Sequence, residues 1–366
     1  MIYLDYAATT PVKKEVLEIF NKICLEFPGN ANSIHSLGIK SKELLLHATK
    51  SIEEELNITS GNIIYTSGAT ESNNVALFGV IKKYSNRGNH LITTALEHPS
   101  ILVPFSYLSK NGYVVSYAKV SENGVDLEEV EKLITDKTIF VSVCLVNSEI
   151  GIINNVKKLS EILKKYPKII FHCDVTQAIG KIDVDFSLFD LASFSSHKFY
   201  GLKGIGGLYI RNNLDIEPLI YGGKSASVYR SGTPPLPLVV SMAKAIKLAK
   251  EDTSYVLKLN KLLVEELRNM DVIINSNELC SPYIVNVSIL SIKPETLIHY
   301  LEKNNIFVST KTACSSSDIS SSLLAIGKSR EVAGHSIRIS LSSETKVEEI
   351  ETFLNVLKNI LEKELT

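Results

Sequence analysis

The order of apolar and polar positions changes regularly along the first two thirds of the chain. Short, almost continuous apolar runs are separated by longer segments in which apolar residues recur every three to four positions. The apolar runs predict strands at residues 62–66, 90–95, 113–117, 138–146, 168–173 and 191–194. Strands that are apolar on both faces and alternate with helices are typical of a mostly parallel sheet covered on both sides. The pattern therefore predicts an α/β fold, in which ligands bind beyond the carboxyl ends of the strands.

Helical spacing predicts the connecting elements and a second structural unit. Helices are predicted from Pro11, over 36–56, from Thr70, from Pro99, over 127–134 and over 156–165. A proline-rich turn near residue 235 then precedes helices and strands of a different style, predicted at 238–250, 255–270, 283–288, 294–303, 336–341 and 346–363. We expect residues 15–252 to form a large domain, and residues 1–14 together with 253–366 to form a smaller one.

Composition and charge narrow the classes of protein that fit. The 366 residues are 45% hydrophobic and 22% charged, which is ordinary for a globular protein with a large core. Lysine and arginine number 39 against 40 acidic residues, so the formal charge of -1 creates no overall field that favours nucleic acid or an anionic membrane. The five cysteines show no CxxC pair and no metal-ligand spacing, which argues against a metal site and a disulfide framework. Because no stretch is typical of a membrane helix or a signal peptide, we expect a cytoplasmic protein.

The candidate chemistry starts at Lys198. A buried strand is predicted to end in Ser195-Ser196-His197-Lys198, and a glycine-rich turn is predicted to follow it. A lysine amine held out of water loses its proton more easily and condenses with carbonyl groups. Lys198 is therefore a candidate for a Schiff base with an aldehyde cofactor, although a lysine considered alone is more often a solvated loop residue.

Other strand ends carry complementary groups. The turn at 66–74 opens a helix with Ser and Thr at its start, where free N–H groups and the helix dipole favour a phosphate, although a simple helix cap has the same sequence. His98 follows the next strand and offers a flat ring. Asp174 directly follows a buried strand and needs a cationic partner, which a pyridinium nitrogen would provide. With Ser195 and His197 as further phosphate donors, these groups on one sheet edge predict pyridoxal 5'-phosphate as the cofactor.

At these residues the sequence resembles the cysteine desulfurases of the NifS/IscS type, within the class V aminotransferase group. The resemblance runs in order over nearly the whole chain, through Tyr3-Leu-Asp-Tyr-Ala-Ala-Thr-Thr-Pro, Thr66-Ser-Gly-Ala-Thr-Glu-Ser, Glu97-His98, Val146-Asn-Ser-Glu-Ile-Gly, Asp174-Val-Thr-Gln, Ser195-Ser-His-Lys, Arg230-Ser-Gly-Thr, Ala313-Cys-Ser and Ser336-Ile-Arg. It implies the fold of the fold-type I transferases that depend on pyridoxal phosphate (PLP). That fold has a large domain with a seven-stranded, mostly parallel sheet and a smaller α+β domain toward the C-terminus.

The resemblance also implies a role for each site residue. Lys198 would bind the cofactor covalently and move protons, Asp174 would pair with the pyridine nitrogen, and His98 would stack on the ring. Gln177 and Asn147 would contact the phenolic oxygen of the ring, and Asn147 would also help to bind the substrate. The phosphate would be bound by Ala69, Thr70, Ser195, His197 and, from the second subunit of a homodimer, Thr233.

Two residues would act on the substrate. Arg338 would bind the substrate carboxylate, for which its bidentate fork is suited. Cys314 lies among small polar residues of a predicted long loop, whereas Cys144 and Cys173 lie in apolar strands and read as inert thiols. The resemblance implies that L-cysteine is converted to L-alanine with a persulfide on Cys314. The sulfur would then pass to an acceptor protein, in iron-sulfur cluster assembly or in thiolation.

The sequence departs from the usual family pattern in two loops. Lys311 and Thr312 stand where relatives usually have small residues, and Lys224 stands where a third glycine is usual. Another class V enzyme, such as a selenocysteine lyase or an aminotransferase, would share every cofactor residue. The departures also fit a weakly active sulfur-carrier partner of the same fold. Cys314 favours the desulfurase among these readings.

Overall fold

The computed structural model describes residues 1–223, 227–310 and 319–364. The strands in these residues are β1 (Ile2–Tyr3), β2 (Asn62–Thr66), β3 (His90–Thr94), β4 (Val114–Ala118), β5 (Val120–Ser121), β6 (Gly124–Val125), β7 (Thr138–Ser142), β8 (Ile170–Asp174), β9 (Leu191–Ser195), β10 (Gly206–Ile210), β11 (Ile273–Ile274), β12 (Ile284–Ser288), β13 (Ile306–Phe307) and β14 (Ser336–Ser340). The helices are α1 (Lys14–Glu26), α2 (Ser36–Glu55), α3 (Ala69–Tyr84), α4 (Pro99–Lys110), α5 (Leu127–Leu133), α6 (Val156–Leu163), α7 (Leu236–Leu248), α8 (Thr253–Leu267), α9 (Pro294–Lys303), α10 (Ser321–Ala325), α11 (Arg330–Gly334) and α12 (Val347–Glu364).

A seven-stranded sheet forms the centre of the fold, in the order β2-β10-β9-β8-β7-β3-β4. The pairs from β9 to β4 are parallel, and β10 is antiparallel to both β9 and β2. Six strands therefore point the same way and one opposes them. The mostly parallel sheet predicted from the apolar runs is confirmed.

The antiparallel strand β10 was not predicted by the apolar pattern, because it opens with Gly206 and Gly207. A Cβ on Gly206 would collide with the carbonyl oxygen of Phe194 and with Gly68, and a Cβ on Gly207 would collide with the Phe194 ring. The two glycines let β10 lie close against its neighbours between β9 and β2. The sequence predicted a glycine-rich turn after Lys198, and for Gly206 and Gly207 that prediction was wrong, because both belong to β10.

The first helix begins at Lys14, three residues after the predicted start at Pro11. Tertiary hydrogen bonds explain the difference. The backbone N–H of Thr10 donates to the carbonyl of His197 at 2.9 Å, and the N–H of Lys13 donates to the carbonyl of Tyr200 at 3.2 Å. These bonds hold residues 10–13 against the segment around Lys198, so the helix begins only at Lys14.

Helices cover both faces of the large sheet. α1 and α2 each pack against α7 on one face, and α3 and α4 pack together in the hydrophobic cluster of the other. A separate cluster surrounds the antiparallel sheet β11-β12-β14 and includes Leu4 and Ala7 from the start of the chain. Among the described residues, no helix is both long and apolar enough to cross a bilayer, and no group of three His, Cys, Asp or Glu side chains is placed to hold a metal ion.

Candidate active site

The parallel strands bring the predicted residues to one edge of the large sheet. β2 ends at Thr66, β8 at Asp174 and β9 at Ser195. Since these strands run in the same direction, their carboxyl ends share an edge. Gly206 of β10 pairs with both Thr66 and Ser195, which fixes the ends of β2 and β9 on either side of it.

Lys198 follows β9 at this edge in a short 3-10 turn. Its Nζ donates hydrogen bonds to the backbone carbonyls of Ala7 and Ala8, both at 2.7 Å. Burial lowers the pKa of Lys198 from 10.5 to about 7, with the charges of Arg338 and Lys181 acting in the same direction. A substantial fraction of Lys198 is therefore neutral near pH 7, as a nucleophilic amine must be.

Asp174 and His98 lie close to Lys198. The Asp174 carboxylate is buried and accepts hydrogen bonds from Thr176 N–H at 3.0 Å and from Asn73 Nδ2 at 2.9 Å. Burial lowers the pKa of His98, while the charge of Asp174 opposes this shift and that of Lys198 adds to it. The charges of Asp174 and Lys198 both act on the His98 imidazole, so the structure brings the predicted lysine, acid and ring together.

The predicted phosphate site combines the start of α3 with the end of β9. Gly68 precedes the helix with φ +152°, and a Cβ there would lie 3.2 Å from Ser195 Oγ. The first N–H groups of α3, at Ala69 and Thr70, thus open beside a serine hydroxyl. This arrangement suits a phosphate.

The other two predicted phosphate residues lie differently. His197 Nδ1 is 3.2 Å from Thr9 Oγ1, and burial lowers the pKa of His197 to about 4, with the nearby lysines adding to the shift. The ring of His197 is therefore neutral at pH 7. Thr233 is exposed in the segment before α7, and no described contact joins it to Lys198 or Ser195. Its predicted role for a second subunit stays a prediction.

Gln177 and Asn147 both have engaged amides. Gln177 Nε2 donates to the Ala7 carbonyl at 2.9 Å, next to Lys198 on the same acceptor, and its Oε1 accepts from Lys181 Nζ at 3.4 Å. Asn147 Oδ1 accepts from the N–H groups of Glu149 and Ile150, and its Nδ2 donates to the Leu96 carbonyl at 2.8 Å. The structure brings Gln177 to the lysine, whereas Asn147 shapes the loop after β7.

Arg338 lies on β14 of the small sheet and is 1% exposed. Its Nη2 donates to Asp5 Oδ1 at 2.8 Å, and its Nη1 donates to the Ser148 carbonyl at 2.8 Å. Its Nε has no hydrogen-bond partner within the part of the chain that the structure describes. One edge of the guanidinium therefore keeps a buried donor, which is the feature a substrate carboxylate would need.

Comparison with known proteins identifies the family. Residues 2–353 match the model of class-V aminotransferases. The chain belongs to this family. It is 39% identical to the cysteine desulfurase IscS of Dictyoglomus turgidum, over 99% of this chain and 95% of that protein. It is 41% identical to the IscS of Buchnera aphidicola, over 97% of this chain and 91% of that protein.

Solved structures of related proteins agree with the family assignment. A NifS-like protein superimposes with a TM-score of 0.93 at 37% identity, and 99% of each chain is covered. A NifS-like protein from Rickettsia africae superimposes with a TM-score of 0.88 at 29% identity, over 98% of this chain and 99% of that one. The predicted fold-type I architecture is therefore confirmed.

Class-V aminotransferases use PLP, and the site of this member fits that cofactor. The two described partners of Asp174 are neutral, so the buried carboxylate still has the need for a cation that the sequence predicted. A protonated pyridine nitrogen meets that need. The low pKa of Lys198 and the open start of α3 fit the aldehyde and the phosphate in the same way.

Cys314 lies outside the described residues, as do Lys224, Lys311 and Thr312. The four other cysteines are either thiols whose pKa is raised by burial or, for Cys24, exposed on a helix outside the site. Burial raises the pKa of Cys144 and Cys173 well above the usual range and that of Cys280 to about 11, and Cys24 is exposed on α1.

The chain on both sides of residues 311–318 contacts predicted site residues. Ser309 N–H donates to the Arg338 carbonyl at 3.2 Å and the Arg338 N–H donates to the Ser309 carbonyl at 2.6 Å. On the C-terminal side of these residues, Ser322 Oγ accepts a hydrogen bond from Asn147 Nδ2 at 3.4 Å. The described residues on either side of positions 311–318 therefore contact predicted site residues.

Sequence reasoning missed several groups at the site. Asp5 and the Ala7 and Ala8 carbonyls belong to the motif at the start of the chain, but nothing in the pattern shows that this segment contacts both Arg338 and Lys198. Asn73 lies in the N-terminal part of α3, seven residues after β2 ends, and its contact with Asp174 joins positions 101 residues apart. Only the fold reveals these contacts.

Proposed function

We propose that this protein is a PLP-dependent cysteine desulfurase that converts L-cysteine to L-alanine and first holds the sulfur as a persulfide on Cys314. The proposal is supported by the two relatives named above. Both are cysteine desulfurases, and this chain is similar to each of them over nearly its full length. The observation that carries the assignment to Cys314 is the pair of contacts, at Ser309 with Arg338 and at Ser322 with Asn147, on either side of its segment.

We propose the following roles for the residues of the cofactor site. Lys198 would hold the aldehyde carbon, Asp174 the pyridine nitrogen, and His98 the ring face. Gln177 and Asn147 would face the phenolic oxygen, and the phosphate would be held by Ala69, Thr70, Ser195, His197 and the Thr233 of a second subunit. When bound there, the cofactor supplies an electron sink for negative charge at the substrate α-carbon.

The remaining steps use groups of this chain. Arg338 binds the substrate carboxylate through its free Nε edge and stays charged, since guanidinium is not deprotonated in proteins. Lys198, whose pKa lies near 7, takes the α-proton and returns a proton. The Cys314 thiolate attacks the substrate sulfur, so that a sulfur–sulfur bond forms as the carbon–sulfur bond breaks. The electron pair left on the β-carbon takes up a proton, and the organic product is L-alanine.

The finer organisation is also a proposal. We infer a large domain over residues 15–252 and a small domain of residues 1–14 with 253–366, which is supported by the separate hydrophobic cluster around β11, β12 and β14. A homodimer is needed to bring Thr233 to the site. The sulfur would leave Cys314 for an acceptor protein of iron-sulfur cluster assembly or thiolation, in the cytoplasm.

Replacing Cys314 by serine tests the function. In the purified holoenzyme we expect L-alanine formation from L-cysteine to fall more than ~100-fold, because the attacking sulfur is gone. The absorption of the lysine-bound cofactor should persist, and mass spectrometry should find the additional sulfur on Cys314 in the wild type only.

A matched control is Cys24→Ser, which removes an exposed thiol on α1 and should leave turnover unchanged. Full turnover in Cys314→Ser with cofactor bound contradicts the proposed role of Cys314. A keto acid in place of alanine and persulfide would instead assign an aminotransferase.

A further inference from the structure

A chain of hydrogen-bonded side chains at the site is not used by the roles above. Asn73 Nδ2 donates to Asp174 Oδ2 at 2.9 Å and to Ser100 Oγ at 2.8 Å. Ser100 Oγ lies 2.8 Å from His98 Nδ1. Asn73, Ser100 and Asp174 are 1%, 8% and 8% exposed. The chain therefore runs through the protein interior from the acid of the site to its histidine.

Hydrogen-bond chemistry fixes the direction of this chain. An ionised carboxylate only accepts hydrogen bonds, so Asn73 turns its NH2 group toward Asp174. The second hydrogen of that group points at Ser100 Oγ, and the hydroxyl hydrogen of Ser100 is left to donate to His98 Nδ1. The backbone N–H of Ser100 also donates to His98 Nδ1, at 3.1 Å.

These donors determine the tautomer of His98. A ring nitrogen that accepts two hydrogen bonds carries no proton, so the proton of the neutral ring is on Nε2. The lowered pKa of His98, which burial causes, agrees with a neutral ring.

The arrangement also has a cost. Asn73 Oδ1 is buried and has no hydrogen-bond partner among the described residues. An unpaired buried oxygen is unfavourable, so the contacts of the Asn73 amide with Asp174 and Ser100 are made at a cost in stability. Such exceptions are expected where orientation matters more than stability.

We propose that Asn73 and Ser100 are positioning residues that pass the orientation imposed by the Asp174 carboxylate to His98 and hold it as the Nε2–H tautomer. Only the catalytic consequence rests on the proposed function: His98 presents one fixed donor to the reaction instead of a mixture of two ring forms. The tautomer itself is a property of this chain and is measurable without turnover.

The test is nitrogen NMR of the full-length protein labelled with 15N-histidine, with and without PLP, using His98→Gln to assign the signal. In the wild type at neutral pH we expect the neutral Nε2–H form. Ser100→Ala removes the hydroxyl donor and leaves the backbone donor, so the tautomer ratio should move toward Nδ1–H by about fivefold, the effect of one ordinary hydrogen bond. Asn73→Leu should move it in the same direction.

Kinetics provide a second measurement. In Ser100→Ala, kcat for alanine formation should fall about fivefold with KM for L-cysteine unchanged. The double variant Asn73→Leu/Ser100→Ala should be no slower than the slower single variant, because both changes break one chain. Ser106→Ala, an exposed serine on the same helix, should alter neither the tautomer nor the rate.

The outcomes separate the two proposals. A charged or Nδ1–H His98 in the wild type at neutral pH, or an unchanged tautomer ratio in Ser100→Ala, overturns the positioning role. If the tautomer shifts as expected while the wild-type holoenzyme forms no alanine, the positioning role stands and the desulfurase proposal fails.

Discussion

Lys198 and Arg338 are two cations of one site, yet their surroundings differ in kind. The described acceptors of Lys198 are the neutral carbonyls of Ala7 and Ala8, and its pKa falls to about 7. Arg338 is more deeply buried and pairs with the Asp5 carboxylate. Burial and the nearby charges of Arg338 and Lys181 help the Lys198 amine to lose its proton, whereas a guanidinium keeps its charge in proteins and the Asp5 carboxylate balances that charge. The site thus separates a cation that gives up its charge from one that keeps it.

The largest effect is expected when the first cation can no longer lose its proton. Arginine in place of Lys198 stays charged and cannot form the covalent bond to the cofactor. We expect alanine formation to fall by ~10³-fold or more, together with loss of the absorption of the lysine-bound cofactor. Lys203→Arg, at an exposed position in the following turn, should behave as the wild type. Near-normal turnover in Lys198→Arg would show that the residue at this position does not need to lose its proton.

A smaller effect is expected at the second cation. Lysine in place of Arg338 keeps the charge but loses the bidentate fork. We expect KM for L-cysteine to rise about 30-fold with little change in kcat, which corresponds to about 2 kcal/mol of charge-assisted hydrogen bonding. Steady-state kinetics with Arg330→Lys, an exposed arginine on α11, provide the control. A fall in kcat at constant KM would show that Arg338 does not bind the substrate.

The smallest effect concerns stability and pH. The pKa of Lys198 is 10.5 in an ordinary environment and about 7 in the folded protein, so between these values the unfolded chain binds the extra proton. Folding stability from this group therefore rises with pH from about 7 to 10.5. Without cofactor, Lys198→Met should be more stable than the wild type at neutral pH, and its advantage should shrink by about 1–2 kcal/mol two pH units higher.

Chemical denaturation at two pH values measures that difference directly. Lys203→Met provides the matched control, because Lys203 is exposed in the turn that follows Lys198. A stability difference between Lys198→Met and the wild type that does not vary with pH would mean that Lys198 keeps an ordinary pKa.

The two regions also differ in how far the sequence alone revealed them. The strand ends that carry Asp174, Ser195 and Lys198 were predictable, because parallel strands must place their carboxyl ends together. The partners of Arg338 were not, because Asp5 lies 333 positions away and no local pattern reports that distance. The contact of Asn73 with Asp174 was not predictable either, because these residues are 101 positions apart. The backbone carbonyls of Ala7 and Ala8 could not be predicted as acceptors for Lys198, because every residue has a carbonyl and the side-chain pattern does not distinguish them.

The segment that holds Asp5 and Ala7 has a consequence for biosynthesis. Ala7 N–H also donates to Ser340 Oγ, so this segment is joined to a residue that is synthesised 333 positions later. On the ribosome, the acceptors for Lys198 are available as soon as that lysine emerges, whereas the partner of Asp5 appears only after more than a hundred further residues. A nascent or truncated chain that stops before β14 can hold the lysine but has no arginine for a substrate carboxylate. Substrate binding therefore waits until β14 has been synthesised.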